Sequence, residues 1–296
     1  MTRLTTDDIE GIRAQLVEYD RELVSVTGRT LLGIGEWASG LGDEGHLQRL
    51  APGKKMAVVP IRSGLGVISG FSETVCGILL HLGFDAMIPG RSDVSGFAEA
   101  VDGGAQVILA ADDDRFVAFC PRQGKTVDNS RATARGYVAG LDLMAGGLDG
   151  KEVLVVGCGP VGRWAVEALS MRKARVSVID RVAEKAEELT RWARSAFQAD
   201  VQVGPDLEQA LSTHHLIVDA TNAAEVIHAR HVTADTHVAA PGMPCGATLD
   251  AREKLAGRIL HDPLQIGVAT MACEALRIIH AQSGPVGQTD CYGAST

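Results

Sequence analysis

The sequence has 296 residues, 46% hydrophobic and 22% charged, a globular balance that excludes global disorder. At roughly 150 residues per domain, that length predicts about two domains. The 28 Lys and Arg against 37 Asp and Glu leave a net charge of −9, which argues against nucleic acid or an anionic membrane surface as a partner. The N-terminus, MTRLTTDDIEGIRAQL, lacks the apolar core of a signal peptide, and the longest apolar runs are strand-sized. Six scattered cysteines without a C-x-x-C pair fit a reduced compartment. The expectation is a cytoplasmic enzyme acting on a small molecule, with no membrane segment.

From Thr5 the apolar residues Ile9, Ile12, Leu16 and Leu23 share one helical face, with Thr5 and Thr6 as caps and Gly28 as the stop. A second helical stretch runs from about Leu31 to Leu50, interrupted by Gly40 and Gly42. The strand MAVVPI leads into the loop RSGLGVISGF, and Ser72 begins a helix that reaches His81. Short strands follow at FDAMI, AQVILA and RFVAF, with the acidic turn Asp112-Asp113-Asp114 between the last two. A helix from about Arg131 to Leu143 ends in Gly146-Gly147. This alternation predicts an N-terminal α/β lobe over residues 1–147.

From Lys151 the pattern becomes a regular β-α-β series. KEVLVV, RVSVID, HLIVDA, HVAAPG and RILHD read as strands, GPVGRWAVEALSMRK and EKAEELTRWARSAF as helices. A last helix spans about Val268 to His280. The predicted fold is α/β: a C-terminal Rossmann dinucleotide-binding domain over 148–281, the N-terminal lobe holding the substrate, and a polar tail over 282–296.

Gly157-Cys158-Gly159-Pro160-Val161-Gly162 lies between a β-branched strand and an amphipathic helix, and Asp180 closes the next strand 23 residues after Gly157. A glycine fingerprint in that setting, with an acid about 20 residues on, predicts dinucleotide binding. Gly157 permits the tight turn, Gly159 lets the pyrophosphate approach the backbone, and Gly162 lets the helix pack on the strand. The helix N-terminus supplies free N–H groups. Asp180 is expected to accept the ribose hydroxyls and repel a 2′-phosphate, which favours NAD over NADP, although Arg181 stands beside it. Two later strand ends, with Asp219, Thr221 and Asn222 at one and Pro241, Gly242 and Cys245 at the other, are expected around the same crevice.

Other candidates read as structural. Cys245 has no His or carboxylate at a nucleophile's spacing and is expected to pack. His228-x-x-His231 lacks the further ligands of a metal site, so no metal is expected. Asp112, Asp262 and Ser63 fit either solvated turns or anchors for a substrate ammonium, and composition leaves both readings open.

The strings VPIRSGLGVISGFSE, GFDAMI, RSDVSGFAEAV, ADDDRF, KEVLVVGCGPVG, APGMPC and DPLQIGVATM occur in this order. Together they resemble the pyrrolysine-forming dehydrogenases, from Leu4 to about Ala275. The resemblance implies NAD-dependent oxidation of the terminal amine of N6-[(3R)-3-methyl-D-ornithyl]-L-lysine. The ornithyl α-amine then closes the pyrroline ring, with net loss of ammonia. It implies substrate contacts at Leu4, Ser63, Phe71, Asp112 and Asp262, and cofactor contacts at Gly157, Gly159, Pro160, Val161, Gly162, Asp180, Thr221, Asn222 and Pro241. Where the family has Glu before Pro-Leu, this chain has Asp262, about one methylene shorter. No Lys or His stands out as a base, consistent with ring closure driven by proximity. A homodimer is one option for its assembly. Rival readings are an alanine dehydrogenase or ornithine cyclodeaminase type of enzyme, and a nucleotide-sensing module without turnover.

Overall fold

The structure, a computed structural model, describes residues 4–40, 49–66 and 68–281. Thr5 donates its backbone N–H and its hydroxyl to the Asp8 carboxylate at 2.6 and 2.8 Å and starts α1 (Thr6–Ile9). The single helix expected here is broken: Gly11 takes φ +80° and α2 (Ile12–Thr27) begins anew. The apolar face survives the break, since Ile9, Ile12, Leu16 and Leu23 are all buried. Gly28, at φ 75°, ends α2 as expected. The next helix, α3 (Leu31–Ala38), stops before Gly40; Gly42 and the tail from 282 lie outside the described residues.

The first sheet is built from β1 (Lys55–Val58), β2 (Asp85–Met87), β3 (Val107–Ala111), β4 (Phe116–Cys120) and β5 (Lys125–Asp128). Their order is β2-β1-β3-β4-β5, parallel through β3 and antiparallel beyond it. Helices α4 (Phe71–His81) and α5 (Asp93–Asp102) cross over between the parallel strands. Successive side chains of a strand point to opposite faces. Met56 and Val58 accordingly join the main core with Val75, Ile78 and Leu79 of α4, whereas Ala57 and Val59 pack with Ala100 of α5.

Helix α6 (Asn129–Met144) starts where Asp128 Oδ1 accepts the N–H groups of Ser130 and Arg131 at 3.0 and 3.3 Å. It lies between the sheets, against β4 and β5 on one side and the second sheet on the other.

That sheet comprises β6 (Glu152–Val156), β7 (Arg175–Ile179), β8 (Val201–Val203), β9 (Leu216–Asp219), β10 (His237–Ala239) and β11 (Ile259–Leu260). Its order, β11-β10-β9-β6-β7-β8, is parallel throughout and diverges from β6 in both directions, the doubly wound dinucleotide-binding arrangement. The helices α7 (Pro160–Met171), α8 (Ala183–Phe197), α9 (Leu207–Thr213) and α10 (Leu249–Leu255) follow their strands.

The closing helix, α11 (Gln265–Ala281), begins three residues earlier than expected and leaves this sheet. It packs on α3, α4, α6, β4 and β5, so the helix that the sequence assigns to 148–281 covers the N-terminal lobe instead. Close approach needs glycine there: a Cβ at Gly35 would stand 2.7 Å from the Cys273 sulfur.

Candidate active site

The phosphate loop forms where β6 runs out. Gly157 takes φ +94°, and a Cβ there would stand 2.9 Å from the Ala220 carbonyl oxygen. At Gly162 a Cβ would collide with the Gly157 carbonyl, so this residue lets α7 seat on the strand end. A Cβ at Gly159, by contrast, would meet no protein atom within 4 Å. Pro160 occupies the first position of α7, where a missing N–H costs nothing, and the helix N-terminus faces the cleft. An open cradle over one glycine, with packed glycines on either side, fits a dinucleotide pyrophosphate. Asp180, at the end of β7, accepts the Cys158 N–H through Oδ2 at 2.7 Å.

Thr221 and Asn222 after β9, and Pro241 after β10, border the same cleft. Thr221 is set by Asp219, fully buried, whose Oδ1 accepts both the N–H and the hydroxyl of Thr221 at 3.1 and 2.8 Å. Burial pushes the Asp219 carboxyl above its ordinary range. Cys245 is half-buried against the neighbouring apolar cluster. His231 is buried, with Nε2 3.0 Å from Glu208 and its ring against His228. Among the described residues, no three His, Cys, Asp or Glu are grouped to hold a metal, and no helix is long and apolar enough to cross a membrane.

The two lobes open on one cleft of about 1020 Å³. From the N-terminal lobe Leu4, Phe71, Asp112, Asp113 and Phe116 line it, with Phe71 and Phe116 edge to face at 5.4 Å. Gly157, Gly159, Pro160, Val161, Asp180 and Asp262 line it from the other side. Gly162 is buried behind the loop. Ser63 is not among the lining residues; it is exposed, and both its N–H (3.3 Å) and hydroxyl (3.2 Å) donate to Asp93.

The acidic turn is built by its own backbone. Asp112 Oδ1 accepts the N–H groups of Asp114 and Arg115 at 2.9 and 2.7 Å, and these amides hold its carboxyl below the usual range. Asp113 accepts the Leu65 N–H at 2.8 Å and so ties the turn to the glycine-rich loop after β1. Asp262 is buried, and loss of water pushes its carboxyl up. The Tyr137 hydroxyl bridges the Asp262 backbone, 2.7 Å from both its N–H and its carbonyl.

Three contributors escaped the sequence reading. Tyr19 and Tyr137 reach Asp262 from α2 and α6, and Asp93 gathers the loop at Arg62 and Ser63. Only Asp93 left a trace, in the string RSDVSG.

Residues 8–127 match the family described as pyrrolysine biosynthesis protein PylD, N-terminal domain, and residues 144–248 match one described as NAD(P)-binding. The pyrrolysine synthase of Methanosarcina barkeri is 32% identical over 278 residues, covering 93% of this chain and 98% of that protein. The pyrrolysine synthase of Methanosarcina acetivorans is 32% identical over 273 residues, covering 92% and 98%. Quinate dehydrogenase from Corynebacterium glutamicum, solved in complex with NAD, shares the fold alone: its TM-score is 0.53 at 16% identity, over 77% of this chain and 93% of that one. The chain belongs to the pyrrolysine synthase family, and its parallel sheet is the NAD-binding half of a dehydrogenase-type oxidoreductase.

Proposed function

We propose that the enzyme oxidises the terminal primary amine of N6-[(3R)-3-methyl-D-ornithyl]-L-lysine with NAD, and that the ornithyl α-amine adds to the new C=N carbon and expels ammonia to close the pyrroline ring. What carries this reading is one continuous cleft that joins the open cradle at Gly159 to the carboxylates of Asp112 and Asp262. Bound NAD supplies the hydride acceptor. The chain's own residues hold the substrate and exclude water.

A dipeptide with several amines and one carboxylate suits an acidic wall. Asp112 enters from the β3–β4 turn and Asp262 from the end of β11, so two ammonium groups can be held from opposite lobes. Phe71 and Phe116 supply the apolar side that dries the cleft, where a neutral amine is favoured over its ammonium. Incubation of the protein with NAD and the dipeptide should yield NADH and, by mass spectrometry, the pyrroline product. Turnover of simple amino acids in its place would favour an alanine dehydrogenase or ornithine cyclodeaminase type of activity. NADH binding without consumption of any amine would favour a sensor.

A further inference from the structure

A carboxylate offers about four acceptor sites, and at Asp262 three donors share them. The Tyr19 hydroxyl donates to Oδ2 at 2.7 Å, and the Leu264 N–H to Oδ1 at 2.9 Å. The Ile266 N–H is divided between the two oxygens at 3.3 and 3.4 Å. With the Ile266 N–H counted at its nearer oxygen, Oδ1, one acceptor site remains on Oδ2, in a side chain that lines the cleft. The two amides belong to the chain entering α11 and fix Oδ1. Among the described residues, the only short hydrogen bond to Oδ2 comes from Tyr19, 243 residues away in sequence.

Tyr19 is not among the residues lining the cleft. We infer that Tyr19 is the positioning residue of Asp262: its hydroxyl fixes Oδ2 so that the remaining acceptor site is presented to an amine of the substrate. The inference rests on the reading of the cleft as an amine site. Burial, and then Asp262 itself, keep the Tyr19 phenol well above its ordinary range, so it stays a donor.

The titratable groups around this pair are His261 beside Asp262, Tyr137 from α6 with Cys245 near it, and Glu22 on the same helix as Tyr19. None of these four donates a hydrogen bond to Oδ2. Removing the Tyr19 hydroxyl takes a donor from the anion, so Asp262 will keep its proton to higher pH.

The test is Tyr19→Phe, assayed with saturating NAD across the pH range. A tenfold to hundredfold loss of kcat/KM for the dipeptide is expected, with the acid limb of the profile moved up by about one pH unit. NAD affinity in calorimetry should stay the same. In an Asp262→Asn background the same change should add less than about twofold, because the partner it positions is gone.

Unchanged kcat/KM and an unmoved acid limb would overturn the inference, as would fully additive losses. Failure of Tyr19→Phe to fold would assign the hydroxyl to stability and also overturn it. A parent enzyme inactive on the dipeptide would overturn the substrate reading together with this inference; an active parent beside an unaltered Tyr19→Phe enzyme would overturn this inference alone.

Discussion

Asp180 Oδ2 accepts the backbone N–H of Cys158 at 2.7 Å, while Oδ1 accepts the N–H of Val182 at 2.9 Å. The residue proposed to meet the adenosine ribose thus also ties the end of β7 to the glycine loop after β6. Under that proposal, recognition of the sugar and the shape of the phosphate cradle depend on one carboxylate.

The enzyme should therefore prefer NAD to NADP, because a 2′-phosphate against that carboxylate costs several kcal/mol when partly desolvated. Asp180→Ala should raise KM for NAD by more than about tenfold and erase most of the preference, since it removes a charged acceptor worth roughly 1.5–3 kcal/mol. Steady-state kinetics with both cofactors decide the matter. Equal efficiency of the parent with NADP would mean that Arg181 and Lys185, which also line the cleft, outweigh Asp180.

The glycines of the loop should separate binding from folding. Gly159→Val points a side chain into the open cradle, so NAD affinity should fall by about a hundredfold or more with little change in melting temperature. Gly162→Ala meets the Gly157 carbonyl and should cost roughly 1–3 kcal/mol of stability. Calorimetric titration and thermal melting read the two effects, and unchanged NAD affinity in Gly159→Val would sink the assignment of the cradle.

Asp112→Asn and Asp262→Asn should each lower kcat/KM for the dipeptide by about tenfold to a hundredfold, the worth of one charge-assisted hydrogen bond. Asp112→Asn keeps an oxygen for the Asp114 and Arg115 amides and should leave melting unaltered. At buried Asp262 an amide nitrogen would face the Tyr19 hydroxyl or a backbone N–H, so stability should fall as well. Changes under about twofold in both would reduce the pair to turn aspartates.

A pH signature is expected at Glu208. Hydrogen bonds from Arg230, then from His231, hold its carboxyl down to about 2. A depressed folded value means that the pair's contribution is present above the unfolded value, roughly 4.3, and is lost as pH falls toward the folded one. Parent and Glu208→Gln should melt at different temperatures near neutral pH and converge between about pH 4 and pH 2. A gap that persists at the acid end would contradict the pairing.

The parts legible in the sequence were those in which one local pattern controls structure. The glycine loop, Asp180 and five of the six strands of the second sheet fall in this class, because tight turns and β-branched runs leave few alternatives. Helix α5 was not legible. No element is expected over 93–102 from the sequence, yet a helix forms there, and a Cβ at its interior Gly96 would stand 2.9 Å from Val59, so the glycine serves close packing on the first sheet. The break at Gly11 was hidden for the opposite reason, since the apolar period runs through it undisturbed. Strand β8 is three residues at a sheet edge, with two of them exposed, too short for alternation to register. Tyr19 lay beyond any local signal. Its partner is 243 residues away, and only the packed helices bring them together.

The path of α11 bears on how the molecule can be divided. Its residues Ala269, Met271, Ala272, Cys273 and Leu276 are all fully buried, and their cover comes from helices and strands encoded before residue 145. A gene fragment for 148–281 would express an orphaned apolar helix, and the complementary fragment would present the socket from which that helix had been drawn. Neither half is a self-contained product. A cut intended to release the nucleotide-binding sheet belongs after β11, ahead of Gln265, and the helix beyond it should travel with the other piece.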